Sequence, residues 1–364
     1  MIESVIIPQT MNVKIFLKLS NQIKNKKLKL RNPININKNA FFIEGGGTRG
    51  IYAIGILKYL FEPNPYLNLA NTNIFGGTSV GSFLATALSL GYDKDDIMEL
   101  SKTINVANLI DAKYKFMVTA YRFLSQGYLY DDVARQEIVE KILDYKIETI
   151  RKHLELNITG KNLTFGHLKK LIERHPTIYK HLLINAVDIS RSEQIFMTTL
   201  NDKYDDITLF DAILASSAIP FVFKAVTLYY YPDTDKYGYD NLDKSTINCL
   251  VDGGVSTGNP LDFFLLRDGK YLNSQYQLWL LKFTSDPKYV KIDGFNSLLT
   301  QTVDYLISGK NNIKMNLIEE NYHINIINLH STSGTLDIYT MEQIQTIIND
   351  IYNECISGKL YFNN

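Results

Sequence analysis

The chain has 364 residues, of which 45% are hydrophobic, so it can bury the core of one large domain or of two smaller ones. Its 38 basic and 38 acidic side chains give a formal net charge of +0, which offers no electrostatic reason to expect a nucleic-acid partner. The two cysteines, Cys249 and Cys355, are too few for a disulfide framework and lack ligand partners at the spacing of a zinc site. We therefore expect a globular protein with no metal and no other cofactor.

The first 39 residues are basic, with eight Lys or Arg residues and one acidic residue, Glu3. Apolar residues between Val13 and Leu19 precede the lysine cluster, so this arm either contacts an anionic membrane surface or is a loosely packed, solvated extension. No apolar stretch approaches the roughly 20 residues that span a bilayer, and the first residues lack the pattern of a signal peptide. These features predict a cytoplasmic protein, peripheral to membranes.

A glycine loop follows the first predicted strand. The apolar run Phe41–Ile43 predicts a buried strand, and a helix is predicted over residues 51–60. Between them, the amides of Gly45 to Gly47 can converge on a phosphate or on an oxyanion. The loop lacks the Gly-Lys-Ser/Thr ending of a P-loop, and no acidic residue follows at the distance that a dinucleotide site requires. An oxyanion loop is therefore favoured over a dinucleotide site or a plain structural turn.

A Gly-x-Ser-x-Gly sequence, residues 77–81, lies between the apolar strand residues Ile74 and Phe75 and a predicted helix at residues 83–88. A sharp turn from strand to helix exposes a serine side chain, and the flanking glycines avoid collisions with the neighbouring backbone. The start of the following helix favours negative charge on a developing oxyanion. This pattern predicts that Ser79 is a nucleophile, and the alternative is a glycine turn in which Ser79 caps the helix.

The middle of the chain is predicted to be mostly helical, with helices over residues 131–145, 165–174 and 209–216 and a strand over residues 181–187. A hairpin is predicted around residues 229–240. The strand that follows ends at Asp252, where Gly253 and Gly254 allow an immediate turn. Because sites gather at the carboxyl ends of parallel strands, we expect the glycine loop, Ser79 and Asp252 to meet on one rim of a sheet.

The last hundred residues are predicted to contain strands over residues 277–283 and near Ile324, and helices over residues 297–307 and 341–356. Two histidines, His323 and His330, follow Asp252 in the order that a Ser-Asp-His triad requires. His330 is the better candidate, because it lies at a predicted strand end. In a dyad, Asp252 would instead accept the serine proton directly, which requires partial desolvation to raise its pKa.

Five short stretches together resemble the patatin-like phospholipases in type, order and separation. These stretches are residues 45–50, 77–81, 215–220, 252–254 and 259–260. The resemblance implies a three-layer α/β/α hydrolase fold with a mostly parallel central sheet and a nucleophile elbow. It also implies a serine-aspartate dyad of Ser79 and Asp252, and an oxyanion hole formed by Gly45, Gly46, Gly47 and Arg49. Supporting roles fall to Gly77, Gly81, Gly253 and Gly254. The family loop usually opens with Asp where this chain has Glu44.

We thus predict a lipid acyl hydrolase of the phospholipase A type that cleaves carboxylic esters of glycerophospholipids. The expected parts are a basic extension (residues 1–39), a catalytic core (residues 40–262) and C-terminal strands and helices that complete the same domain (residues 263–364). Alternatives are a neutral-lipid hydrolase or transacylase on the same dyad, a triad esterase that uses His330, and a non-catalytic lipid-binding or scaffold protein. The expected partner is a lipid at a membrane surface.

Overall fold

The computed structural model describes most of the chain between residues 38 and 357, together with two short terminal strands. The described residues are 14–18, 38–64, 67–103, 122–123, 125–256, 258–266, 276–284, 289–294, 297–298, 301–302, 305, 324–330, 339–357 and 361–362. Short 3-10 turns occur at Gly47–Arg49 and Gly253–Val255. Both turns belong to sequence motifs that were predicted to form the site.

Within the described residues, eleven strands form one sheet. They are β1 (Lys14–Lys18), β2 (Asn39–Ile43), β3 (Thr72–Gly77), β4 (His181–Asp188), β5 (Glu193–Thr198), β6 (Val226–Tyr231), β7 (Lys236–Gly238), β8 (Thr246–Asp252), β9 (Gln277–Thr284), β10 (Ile324–His330) and β11 (Tyr361–Phe362). The described helices are α1 (Gly50–Leu60), α2 (Val80–Ser89), α3 (Lys94–Thr103), α4 (Val133–Asp144), α5 (Ile147–Leu154), α6 (Phe165–Arg174), α7 (Leu209–Ser216), α8 (Asp262–Leu266) and α9 (Met341–Ile356).

The centre of the sheet is parallel, and most of the strand pairs outside the centre are antiparallel, although the edge strand β11 pairs parallel with β1. Strands lie in the order β11-β1-β10-β9-β2-β3-β4-β8-β6-β7, and β5 also pairs with β4. The five strands from β10 to β4 are mutually parallel. Strands β5, β6, β7 and β8 pair antiparallel, as does β1 with β10. Parallel strands must be covered on both faces, which explains their nearly continuous apolar sequences.

Alternate side chains of the central strands enter two different apolar clusters. Phe41 and Ile43 point into the larger cluster, which contains most of the helices, including α1, α2, α4 and α9. Ala40 and Phe42 point to the opposite face, where described residues of α8 contribute Phe263 and Phe264. This alternation is the period of a strand, and it places the sheet between two apolar layers.

Most predicted elements agree with the observed ones to within a few residues, including the strand before Ser79, the strand that ends at Asp252 and the C-terminal helix. The predicted helix over residues 297–307 falls largely outside the described residues. The basic arm contains an unpredicted strand, β1, which pairs with β10 and β11. The rest of the arm before residue 38 lies outside the described residues, so its proposed membrane contact stays a prediction.

One topological expectation is wrong. Strand β8 is antiparallel to β4, with Asp252 opposite Ala186, so Asp252 does not lie at the end of a parallel strand. The reason is that β8 follows the β6–β7 hairpin and pairs with β6 on its other side. Asp252 still approaches Ser79, because Ile184, which pairs with Gly77 at the end of β3, is only two residues from Ala186.

The C-terminal helix α9 packs closely on α1. A Cβ built on Gly55 of α1 would lie 2.8 Å from the Ile348 carbonyl oxygen and 2.8 Å from Ile351 Cβ. The hydroxyl groups of Tyr52 and Tyr339 are 3.3 Å apart, within a buried hydrogen bond. The absence of a side chain at residue 55 therefore determines how near the two helix axes approach.

We expect Gly55→Val to lower the free energy of unfolding by about 2 kcal/mol or more, because the added atoms overlap α9. Urea denaturation monitored by circular dichroism would measure the change. Gly294→Val is the matched control, since a Cβ on Gly294 has no neighbour within 4 Å among the residues that the structure describes. Equal stability of the two variants would contradict the close packing of α9 on α1.

Candidate active site

Ser79 lies on a strained turn between β3 and α2. Its φ of 53° and ψ of −126° fall in a region that L residues rarely adopt. A Cβ on Gly77 would lie 2.0 Å from the Gly81 carbonyl oxygen, and a Cβ on Gly81 would lie 2.2 Å from the Ile43 carbonyl oxygen. Only glycine fits at either flanking position, as the sequence pattern predicts, and the turn has the geometry of a nucleophile elbow.

Three polar residues that the sequence analysis did not assign hold this turn. The Ser79 amide donates to Ser216 Oγ at 3.0 Å, and Ser216 Oγ donates to the Asn185 carbonyl oxygen at 2.7 Å. Thr78 Oγ1 donates to Asn185 Oδ1. The available signals were the position of Ser216 in a motif-like stretch and the presence of a polar residue, Asn185, inside an apolar strand.

Asp252 is fully buried beside the elbow. Its amide donates to the Ala218 carbonyl oxygen at 2.9 Å, and its Oδ1 accepts the Gly254 amide at 2.7 Å. Among the residues that the structure describes, Oδ2 has no hydrogen-bond partner of standard geometry. The Ser79 side chain lies near enough to act on this carboxylate as a hydrogen-bond donor. A Cβ on Gly253 would lie 2.6 Å from the Asn185 carbonyl oxygen, so this turn also requires glycine.

Burial raises the pKa of Asp252 to about 6. The Gly254 amide, the Ser79 hydroxyl and the Arg135 guanidinium oppose this rise, because each of them stabilises the charged carboxylate. A carboxylate with such a pKa is a stronger base than an exposed aspartate, and it is still ionised at neutral pH.

The glycine loop lies against the serine. A Cβ on Gly45 would lie 3.2 Å from Ser79 Cβ. However, the Gly45 amide donates to the Gly258 carbonyl oxygen at 2.8 Å, so the predicted role of Gly45 as an oxyanion donor stays a prediction. Within the described part of the chain, the amides of Gly46 and Gly47 make no backbone hydrogen bond. These two amides are the available donors of the loop.

Arg49 and Glu44 support the loop from within. Arg49 is buried, and its Nε donates to the Gly46 carbonyl oxygen at 3.3 Å, so this hydrogen bond positions the loop. Glu44 Oε2 accepts the Phe283 amide of β9 at 3.0 Å. Burial raises the pKa of Glu44 to about 7, and the positive charge of Lys282 is the largest influence that opposes the rise. The longer acidic side chain at residue 44 thus ties the loop to β9.

An apolar cavity with a volume of about 140 Å³ opens beside Ser79. One face of α2 lines it with Val80, Phe83, Leu84 and Ala87, which are spaced as successive turns of a helix. Other apolar walls come from α1, α3, α4 and α9, with residues Ile51, Ile54, Ile97, Leu100, Ile138, Ile142 and Ile344. Such a cavity can hold a hydrocarbon chain whose one end lies at the serine.

Arg135 is the buried cation of this cavity. Its guanidinium pairs with Asp132 Oδ1 at 2.8 Å and also donates to the carbonyl oxygens of Leu214 and Lys224. The sequence analysis did not assign Arg135, although it lies on the same helix face as the buried residues Ile138 and Ile142. A cation on an apolar helix face was the signal for this residue.

The histidine alternative receives no geometric support. His330 lies at the end of β10, and its Nδ1 is 3.4 Å from Thr284 Oγ1 of β9. Strands β9 and β2 separate β10 from β3, which corresponds to about 14 Å between β10 and β3. His323 lies outside the described residues. Within the described ranges, no group of three or more His, Cys, Asp or Glu side chains could hold a metal ion, and no helix is long and apolar enough to cross a membrane.

Residues 41–265 match the sequence model of the patatin-like phospholipases. The chain belongs to this family. An uncharacterized protein of Acanthamoeba polyphaga mimivirus, L620, is 49% identical to this patatin-like chain over 336 residues, which cover 90% of each chain. A second protein of that virus, R571, is 25% identical over 224 residues, which cover 61% of this chain and 60% of the relative.

The solved structures that are similar to this patatin-like chain include the following two. VipD from Legionella pneumophila has a TM-score of 0.48 and 16% identity, covering 89% of this chain and 67% of that one. Human GIVD cytosolic phospholipase A2 has a TM-score of 0.43 and 11% identity, covering 88% and 59% of the two chains. The predicted family and fold class, a mostly parallel sheet with flanking helices, are confirmed. Family membership supports lipid hydrolase activity.

The buried Asp252 carboxylate makes stability depend on pH in a way that Asp252→Asn removes. Because the pKa of Asp252 is raised on folding to about 6, its contribution to stability is complete below the unfolded pKa and is lost as pH rises through about 6. Relative to wild type, we expect Asp252→Asn to gain roughly 2 kcal/mol between pH 4 and pH 7. Urea denaturation of both chains at each pH would measure this difference. Glu44 titrates in both chains, so its contribution cancels when their free energies of unfolding are subtracted. A pH-independent difference would contradict the raised pKa.

Proposed function

We propose that this chain is a lipid acyl hydrolase of the phospholipase A type, in which Ser79 is the nucleophile and Asp252 is its base. The observation that carries the proposal is the buried Asp252 carboxylate. Its Oδ1 accepts a hydrogen bond from the Gly254 amide, whereas Oδ2 has no hydrogen bond of standard geometry within the described chain. The Ser79 side chain lies near enough to act on this carboxylate as a hydrogen-bond donor. A hydroxyl becomes an effective nucleophile when such a base takes its proton.

In the first half of the reaction, Ser79 Oγ attacks the acyl carbonyl carbon while Asp252 accepts the hydroxyl proton. The amides of Gly46 and Gly47, in the loop beside Ser79, would donate to the oxyanion of the tetrahedral intermediate. The dipole of α2, which begins directly after Ser79, adds positive potential at the same place. Asp252 then returns the proton to the leaving alcohol, which leaves an acyl group on Ser79.

In the second half, water enters and Asp252 accepts one of its protons. The resulting hydroxide equivalent attacks the acyl carbonyl carbon, and the proton passes to Ser79 Oγ as the fatty acid leaves. No step in this sequence requires a histidine. The position of His330 beside Thr284, on the far side of β9 and β2 from the elbow, favours the dyad over the triad.

A glycerophospholipid is the proposed substrate. The apolar cavity next to Ser79 suits a fatty acyl chain, and its only buried cation, within the described lining, is Arg135. The description of the matching family supports the same substrate class. The acyl chain would enter the cavity, and the glycerol and head group would remain outside it.

A fluorophosphonate probe tests the nucleophile, because it reacts with activated serine residues. We expect labelling of the native chain, no labelling of Ser79→Ala, and a loss of about 10²- to 10⁴-fold in the labelling rate of Asp252→Asn. Gel fluorescence against time measures these rates, and mass spectrometry identifies the labelled peptide. Lipid products from phosphatidylcholine vesicles should be a fatty acid and a lysophospholipid.

His330→Ala is the matched control and should retain most of the labelling rate, because His330 bonds to Thr284 and not to Asp252. A loss of orders of magnitude in this variant would restore the triad. Labelling that survives in Ser79→Ala would remove Ser79 from its proposed role, and a native chain that is never labelled would overturn the enzyme proposal.

The pH dependence follows from the base. Asp252 must be ionised to accept a proton, and its pKa is raised to about 6, so kcat/KM should fall about tenfold per pH unit below that value. Stopped assays with a short, soluble ester would measure the profile. The variant Glu44→Gln tests which of the two carboxyl groups, Asp252 or Glu44, causes the pH dependence. Glutamine retains an acceptor for the Phe283 amide but does not titrate. The acidic limb should persist in Glu44→Gln, and its disappearance there would assign the limb to Glu44.

A further inference from the structure

The apolar cavity extends well beyond the reacting groups. Along α2, the lining residues from Val80 to Ala87 cover about 10 Å at the rise of an α-helix. Other walls include Ile97 and Leu100 of α3 and Ile142 of α4. Ser79 lies at the beginning of α2, so depth along this helix corresponds to distance from the ester.

One wall comes from a part of the chain that the family match does not include. The match ends at residue 265, whereas Ile344, in the first two turns of α9, lines the cavity. Ile344 is buried, and it reaches the cavity together with Ile51 and Ile54 of α1. The C-terminal helix therefore closes a space that the matched residues leave incomplete.

Contacts on two sides hold α9 in this position. On one side, Gly55 allows α9 to approach α1, where an added Cβ would overlap Ile348 and Ile351. On the other side, Gln345 Nε2 donates to the Ser101 carbonyl oxygen at 3.4 Å and lies 3.3 Å from Ser101 Oγ. Ser101 is itself a lining residue. The residue adjacent to Ile344 is thus bonded to the cavity wall, which limits the freedom of Ile344.

We propose that the acyl chain lies along α2 in this cavity and that Ile344 of α9 determines how long a chain the cavity accepts. This inference rests on the proposed function. Each methylene group that enters an apolar site gains about fourfold in binding, provided that the site has room for it. A wall residue that narrows the cavity beyond the first methylenes removes this gain for long chains and leaves short chains unaffected.

The experiment compares kcat/KM for the butyrate, octanoate, laurate and palmitate esters of one chromogenic alcohol. Ile344→Trp should lower the ratio of the palmitate to the butyrate value by about tenfold or more, and Ile344→Ala should raise it severalfold. The ratio is the readout because partial unfolding or loss of active protein lowers all four values equally.

Ile347→Ala is the matched control. Ile347 is a buried isoleucine of the same helix that does not line the cavity, so its truncation removes the same atoms without widening the site. Its ratio should equal that of the wild type. An unchanged ratio in both Ile344 variants, or an equal change in Ile347→Ala, would overturn the assignment of Ile344.

A binding measurement separates this inference from the proposed function. A fluorescent polyene fatty acid, parinaric acid, should bind to Ser79→Ala and bind at least tenfold more weakly when Ile344→Trp is added. Binding that depends on Ile344 in a chain that hydrolyses no ester would contradict the proposed function alone. Hydrolysis of all four esters with no effect of Ile344 on the ratio or on binding would contradict the inference alone.

Discussion

The position of Ser79 depends on two stretches of backbone that meet with no side chain between them. Gly77 lies against Gly81, and Gly81 lies against the last residue of β2, at distances that exclude a Cβ. Strands β2 and β3 and helix α2 are therefore joined at the point where Ser79 adopts its left-handed φ of 53°. Such a conformation costs roughly 1–3 kcal/mol, which the packing on both faces of the sheet must offset. The large apolar core is thus a requirement of the site.

A second constraint arises from the buried carboxylate. Burial alone favours the protonated acid, whereas a general base must be ionised. Three groups stabilise the charged carboxylate of Asp252 and so limit the rise of its pKa to about 6, namely the Gly254 amide, the Ser79 hydroxyl and Arg135. Arg135 can do so in an apolar cavity because Asp132 pairs with it. The ionised form of Asp252 is therefore stabilised by the positive charge of Arg135, and Asp132 neutralises that charge within the cavity.

The sequence predicted the parts of the site that local backbone geometry requires, and not those that depend on long-range pairing. Gly77 and Gly81 follow from the turn itself, and the strand before Asp252 follows from its apolar run. The antiparallel direction of β8 depends on the β6–β7 hairpin, and the use of the Gly45 amide depends on Gly258, more than 200 residues away. Periodicity carries no information on such partners. Strand β1 was not predicted, because the lysines of its segment suggested a solvated arm.

Strand β9, which lies beyond the residues of the family match, makes hydrogen bonds to the start of the glycine loop. Strand β2, which carries the glycine loop, lies between β3 and β9, and the Glu44 amide donates to the Leu281 carbonyl oxygen at 3.0 Å. Glu44 Oε2 accepts a hydrogen bond from the amide of Phe283, which lies two residues after Leu281 in β9. The loop beside Ser79 is thus fixed from both its backbone and its side chain by β9. A glycine-rich segment has little stiffness of its own, so the geometry of the proposed oxyanion donors depends on a strand more than 230 residues later in the chain.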